Sequence, residues 1–97
     1  MEIYDADDHG THRHVSVGIG IDGDLMIETQ DLGSAPRLAF GTSEYEFAVS
    51  VEPKDFAALL VKLVAKRYAG DASAADHFRG WLDENQIPNS FWNRMGD

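Results

Sequence analysis

Cysteine is absent from the sequence, which removes disulfides, thiolate nucleophiles and cysteine-ligated zinc or iron-sulfur centres and suits a reducing cytoplasm. Basic side chains are scarce: eight Lys and Arg stand against seventeen Asp and Glu, a formal charge of −9. That field repels phosphate backbones and anionic headgroups, so no direct contact with nucleic acid or with a membrane is expected. No apolar run is long enough for a membrane span, and the start MEIYDADD has neither the basic region nor the apolar stretch of an export signal. The cytoplasm is therefore the expected compartment. A GxSxG elbow, a Walker loop, an HExxH helix and an EF-hand loop are all missing. Nothing names a reaction, and the reading leans away from an enzyme.

What is there fits one folded domain. A hydrophobic share of 43%, with 10% aromatic residues, over 97 residues offers enough apolar surface to offset the entropy of ordering. Residues 1–13 read as a polar N-terminal arm. Val15 to Ile21 and Leu25 to Thr29 are β-prone runs around Asp22-Gly23-Asp24, a hairpin signal. A three-residue loop pairing Ile21 with Leu25 puts Val17, Ile19, Ile21, Leu25, Ile27 and Thr29 on one face. Glu44 to Val51 alternates again, with Tyr45, Phe47, Val49 and Val51 on one side. Between them, Arg37 to Phe40 reads as a short edge strand before Gly41.

Pro53 suits the first turn of a helix that runs through Phe56, Leu59, Leu60, Leu63 and Val64 toward Tyr68, with Gly70 as its stop. Ser73 begins a second amphipathic helix carrying Phe78, Trp81 and Leu82, which ends before Ile87-Pro88. The expected fold is α+β: a small antiparallel sheet of three to four strands with two C-terminal helices packed on one face. The other face, with Gly18, Gly20, Met26, Glu28, Glu44 and Glu46, is left bare and acidic.

Two constellations invite a chemical reading. Gly18-Ile19-Gly20-Ile21-Asp22-Gly23 matches GxGxxG, but a strand follows it, so no helix N-terminus waits for a pyrophosphate. Asp7-Asp8-His9-Gly10-Thr11-His12-Arg13-His14 crowds imidazoles beside carboxylates. Asp7, His9, His12 and His14 are thus candidate ligands for a divalent transition metal such as zinc, in a metal-binding protein or a metal-dependent enzyme, the alternative to a mobile arm. Nearby carboxylates also favour imidazolium, which makes the cluster a candidate pH sensor. Asp76-His77 is no acid-base pair, because adjacent helical residues do not face each other.

Asp31-Leu32-Gly33, Gly41, Glu44-Tyr45-Glu46, the run Phe78 to Pro88 and Phe91-Trp92-Asn93-Arg94 resemble small acidic bacterial proteins of uncharacterised activity. The resemblance implies a bacterial cytosolic setting and no site. The leading expectation is a non-enzymatic module, an inhibitor or immunity-type protein, that engages a basic protein through Glu28, Glu44 and Glu46. In the aromatic C-terminal tail, expected to dock on the core, Trp92 with Arg94 is the candidate anchor. A structural subunit, including a homo-oligomer, is the remaining alternative.

Overall fold

A computed structural model describes residues 1–96. The chain divides into two compact units, Met1–Leu60 and Val61–Asp97. The first holds an open four-stranded antiparallel meander in the order β1 (Glu2–Asp8), β2 (Thr11–Ile19), β3 (Leu25–Gly33), β4 (Glu44–Val51). Helix α1 (Ser34–Phe40) interrupts the last crossover, and a 3-10 turn at Pro53–Asp55 leads into α2 (Phe56–Arg67), which crosses the boundary between units. The second unit completes α2 and adds α3 (Ala74–Glu84). The α+β class is as expected, and β4 keeps the expected bounds.

The expected polar arm is instead the first hairpin. Asp8 pairs with Thr11, and the two residues between them, His9 (φ 50°) and Gly10 (φ 82°), both sit at positive φ, as a type I′ turn requires. Such a turn matches the right-handed twist of its strands, so it holds β1 to β2 although the segment lacks apolar alternation. The amino terminus adds to this by donating to the Val17 carbonyl at 2.7 Å.

The second hairpin corrects the expected register without changing its faces. Leu25 pairs with Ile19, not Ile21. Gly20 donates to the Asp24 carbonyl at 2.8 Å, Gly23 donates to the Gly20 carbonyl at 3.0 Å, and Gly23 has φ 90°. The loop is therefore Ile21-Asp22-Gly23, a type I turn followed by a left-handed residue, and that last position is where glycine is required. Moving the turn back one residue shifts the pairing by two, so parity survives. Ile21 leaves the apolar face and stands fully exposed at the tip.

Arg37 to Phe40 is helix rather than an edge strand. Pro36 occupies the first turn of α1, where its missing N–H costs nothing. The cap comes from another strand: Thr11 Oγ1 accepts the Ala35 N–H at 2.8 Å, and Ser34 Oγ donates to the His9 carbonyl at 3.0 Å. Left-handed Gly41 closes the helix, donating to the Arg37 carbonyl at 3.0 Å. Phe40 stacks on Tyr45 of β4 with ring centroids 4.4 Å apart. A seven-residue helix does not hold in isolation, so these contacts make α1 possible.

In the second unit, Gly70 (φ 78°) follows the end of α2, and Tyr68 meets Phe78 of α3 edge-on at 5.9 Å. Ser73 precedes α3 as expected but makes no side-chain cap; Asp71 accepts the Ser73 N–H at 2.9 Å instead. At the other end, Ile87 donates to the Leu82 carbonyl and Gln86 to that of Asp83, a Schellman closure with Gln86 at φ 58°.

Gly33 combines φ 122° with a position at which a Cβ would lie 2.2 Å from the Gly10 carbonyl oxygen. Gly33→Ala is expected to destabilise the protein by about 2–4 kcal/mol through backbone strain and displacement of the first turn. Urea unfolding checks this, and a loss under about 1 kcal/mol would mean the turn and α1 are not locked together. Gln86→Gly should do the reverse, raising stability by roughly 0.5–1 kcal/mol because glycine adopts the left-handed conformation without the steric cost. An unchanged or lower midpoint in thermal unfolding would count against that closure.

Candidate functional site

Because side chains alternate across the ladder, the observed register sorts the sheet into two chemically distinct faces. One carries Val15, Val17 and Ile19 of β2, Leu25 and Ile27 of β3, and Phe47, Val49 and Val51 of β4. Its α1 end is polar. There Arg13 Nε and Nη2 each donate to Asp31 at 2.7 Å, a bidentate pair. Asp31, only 8% exposed, has its carboxyl held below the ordinary 3.8, chiefly by the Arg13 hydrogen bonds and against the opposing effect of burial.

The other face is acidic. It is built of cross-strand rows: Asp7, His12, Leu32 and Glu44; then Asp5, His14, Gln30 and Glu46; then Glu2, Ser16, Glu28 and Ala48. Every strand carboxylate except Asp8 and Asp31 lies here, and no strand lysine or arginine does. Small Ser16 and Ala48 flank Glu28, so the surface dips into a hollow of about 410 Å³ whose wall includes His14, Gln30 and Glu46. Gln30 Nε2 spans the two β4 glutamates, donating to Glu46 at 2.9 Å and to Glu44 at 3.3 Å.

Glu28, Glu44 and Glu46 thus share one face, as the alternation predicts. What the sequence reading missed is that the first hairpin extends this face with Glu2, Asp5 and Asp7. The visible signal was His9-Gly10 as a turn dipeptide between Asp8 and Thr11, a variant of the usual Asn-Gly and Asp-Gly pairs.

The four candidate metal ligands are not gathered around one point. His9 sits at the turn tip beside Asp8, at 3.3 Å. His14 faces Glu2 at 3.6 Å. His12 has Asp7 on Nδ1 at 2.7 Å and Asp5 on Nε2. Both ring nitrogens are therefore engaged with carboxylates on opposite edges, whereas a metal needs a free lone pair aimed at a shared centre. Among the described residues, no group of three or more His, Asp or Glu side chains is arranged to hold a metal ion.

Trp92 and Arg94 belong to the second unit. Trp92 is 79% exposed, and Phe91 is exposed too, contrary to the expected docking of the tail on a core. The cation-aromatic contact there is Arg79 of α3 over Phe91, at 4.9 Å, rather than Arg94 over Trp92. His77 is a surface residue as expected, but its partner is Asp71, at 2.6 Å. That contact, first, and the Ser73 N–H, second, lower the Asp71 pKa. The GxGxxG match runs from the end of β2 into the turn, and the element that follows it is strand β3 rather than a helix. Among the described residues no helix is long and apolar enough to cross a membrane.

No protein-family model, curated protein or solved structure matches the chain.

The Asp7 hydrogen bond, followed by the nearby Asp5 and Asp7 charges and opposed by burial, raises the His12 pKa above 6.5. A raised folded value means that protonation stabilises the fold. The contribution is complete below pH 6.5 and is lost as pH rises through the higher folded value, where a neutral ring keeps only one N–H for two carboxylates. Amide exchange of β1 followed across this range should therefore accelerate with pH beyond the intrinsic chemical trend, and His12→Gln should abolish the excess. An identical excess in His12→Gln would assign it to another group.

Proposed function

We propose that this chain is a non-enzymatic binding module that captures a basic protein on the acidic face of its sheet. The observation that carries the proposal is the segregation of charge: carboxylates from β1, β3 and β4 share a face with no strand lysine or arginine. Such a surface accelerates encounter with a positive partner and rejects anionic ones, in keeping with the net charge. The hollow around Glu28 gives the centre of the contact a shape, and the glutamates bridged by Gln30 give it a preset arrangement of acceptors.

A bound Lys or Arg would meet oxygens already held in place, which reduces the ordering cost of binding. His12 gives the same face a pH response. Its protonation adds positive charge among the carboxylates and weakens attraction to a basic partner on acidification. In biological terms the module acts as an inhibitor or immunity-type protein in a bacterial cytoplasm, a compartment that suits a chain without cysteine. Trp92 and Arg94 are secondary candidates, an apolar anchor and a polar neighbour on the second unit.

Charge reversal at Glu28, Glu44 and Glu46 to lysine should slow association with the captured partner by about 10- to 100-fold and flatten its salt dependence, with a smaller change in dissociation. Parallel pull-downs from host extract with the native chain and the triple variant, then stopped-flow at several salt concentrations, read this out. Capture that is equally fast and equally salt-sensitive in the variant sinks the proposal.

A further inference from the structure

An open sheet has two edges, and this one treats them differently. β1 is blunted: its pairing shifts between Glu2 and Tyr4, and Glu2, Asp5, Asp7 and Asp8 crowd it with charge. β4 lacks the usual protection. Its eight residues include no proline and no lysine, its register against β3 is unbroken, and its only charges, Glu44 and Glu46, lie at one end.

The backbone groups left over can be named. The Gly33 N–H donates to the Ser43 carbonyl at 2.7 Å, so residues 33 and 43 form a hydrogen-bonded pair one step beyond Leu32 and Glu44. Such pairs alternate with non-bonded ones along an antiparallel ladder. Tyr45, Phe47, Val49 and Val51 therefore turn their N–H and C=O toward β3, whereas Glu44, Glu46, Ala48 and Ser50 turn theirs outward. Thr42 Oγ1 accepts the Glu44 N–H at 3.4 Å; the other outward groups bond to no described residue. The helices of the second unit cannot fill this ladder wherever they lie, because a helix bonds its backbone internally. A strand from another molecule can.

Charge selects that strand. The outward-bonding residues are those whose side chains belong to the acidic face, so a residue paired with Glu44 or Glu46 sets its own side chain about 5 Å from a carboxylate-bearing one. Cationic side chains at alternate positions fit there, with apolar ones between them alongside Tyr45, Phe47 and Val49. A second copy fits worse: antiparallel β4 against β4 brings both copies' Glu44 and Glu46 onto one side of a continuous sheet, and each copy already carries −9.

We propose that the basic partner docks by strand addition: an extended segment with lysine or arginine at alternate positions pairs antiparallel with the outer edge of β4 and continues the sheet. This rests on the acidic-face reading above and adds where the partner lies and what shape it takes.

The probe is a synthetic peptide of alternating lysine and valine, as long as β4, compared with the same peptide N-methylated at its lysines. Methylation leaves the charge and removes the donors that face β4. By fluorescence anisotropy the full-length chain should bind the plain peptide about ten-fold or more tighter, since several backbone hydrogen bonds are lost together. Ala48→Pro removes an outward donor without touching a bond to β3 and should cost the plain peptide a similar factor. Glu44→Lys with Glu46→Lys should weaken both peptides. Equal affinity for the two peptides overturns strand addition and leaves the acidic-face reading intact. Indifference of the plain peptide to the double charge reversal overturns the basic occupant, and the acidic-face reading with it. In the free chain, amide exchange should be fast at Glu46, Ala48 and Ser50 and slow at Phe47 and Val49. Slow exchange at Ala48 would mean that the chain fills its own edge, which also overturns the proposal.

Discussion

Antiparallel pairing at a fixed register is the constraint from which the other properties of the first unit follow. Side chains alternate along each strand, so a slip of one residue would exchange the faces and place Glu28, Glu44 and Glu46 where Ile27, Phe47 and Val49 now lie. Two turns prevent that slip. His9-Gly10 closes the first hairpin with both residues at positive φ, and Gly23 closes the second from its left-handed position. Neither turn is long, and each fixes the parity of the pairs in its own hairpin; between β3 and β4 the connection runs through α1, closed by left-handed Gly41 and by the Gly33 N–H donating to the Ser43 carbonyl at 2.7 Å.

The same register concentrates an exception at one place. Arg13 and Asp31 occupy the otherwise apolar side, and their bidentate pairing satisfies the charges where α1 begins to cover the sheet. Around them Thr11, Ser34, Gly10 and Gly33 tie the first turn, the end of β3 and the start of α1 into one knot of hydrogen bonds. A side chain at Gly33 would occupy the space of the Gly10 carbonyl. The polar end of this face is thus held by specific contacts, while the end running from Val15 to Ile19 offers shape and apolar area.

Much of this architecture was legible. Alternation in Glu44–Val51 identified both the strand and its faces, and Pro53 with Gly70 bracketed α2. The acidic surface at Glu28, Glu44 and Glu46 followed from parity alone. The first hairpin was not legible, because Asp5, Asp7, His12 and His14 are polar on the exposed side while Ala6 and Arg13 interrupt the apolar side. Periodicity had no contrast to report there. The helix at Ser34–Phe40 escaped for a different reason: its cap is donated by Thr11, more than twenty residues earlier in the chain.

Composition and spacing by themselves determined the class of fold, the negative field, the two C-terminal helices and the parity of the central strands. These depend on local preference and on a period of two or 3.6 residues, which a linear pattern carries in full. Only the tertiary structure decided that His12 lies between Asp5 and Asp7, that Asp31 pairs with Arg13, and that the first eight residues widen the acidic face. Those outcomes depend on which strands become neighbours and at what offset, and chain entropy, turn geometry and pairing settle that jointly rather than any one segment alone.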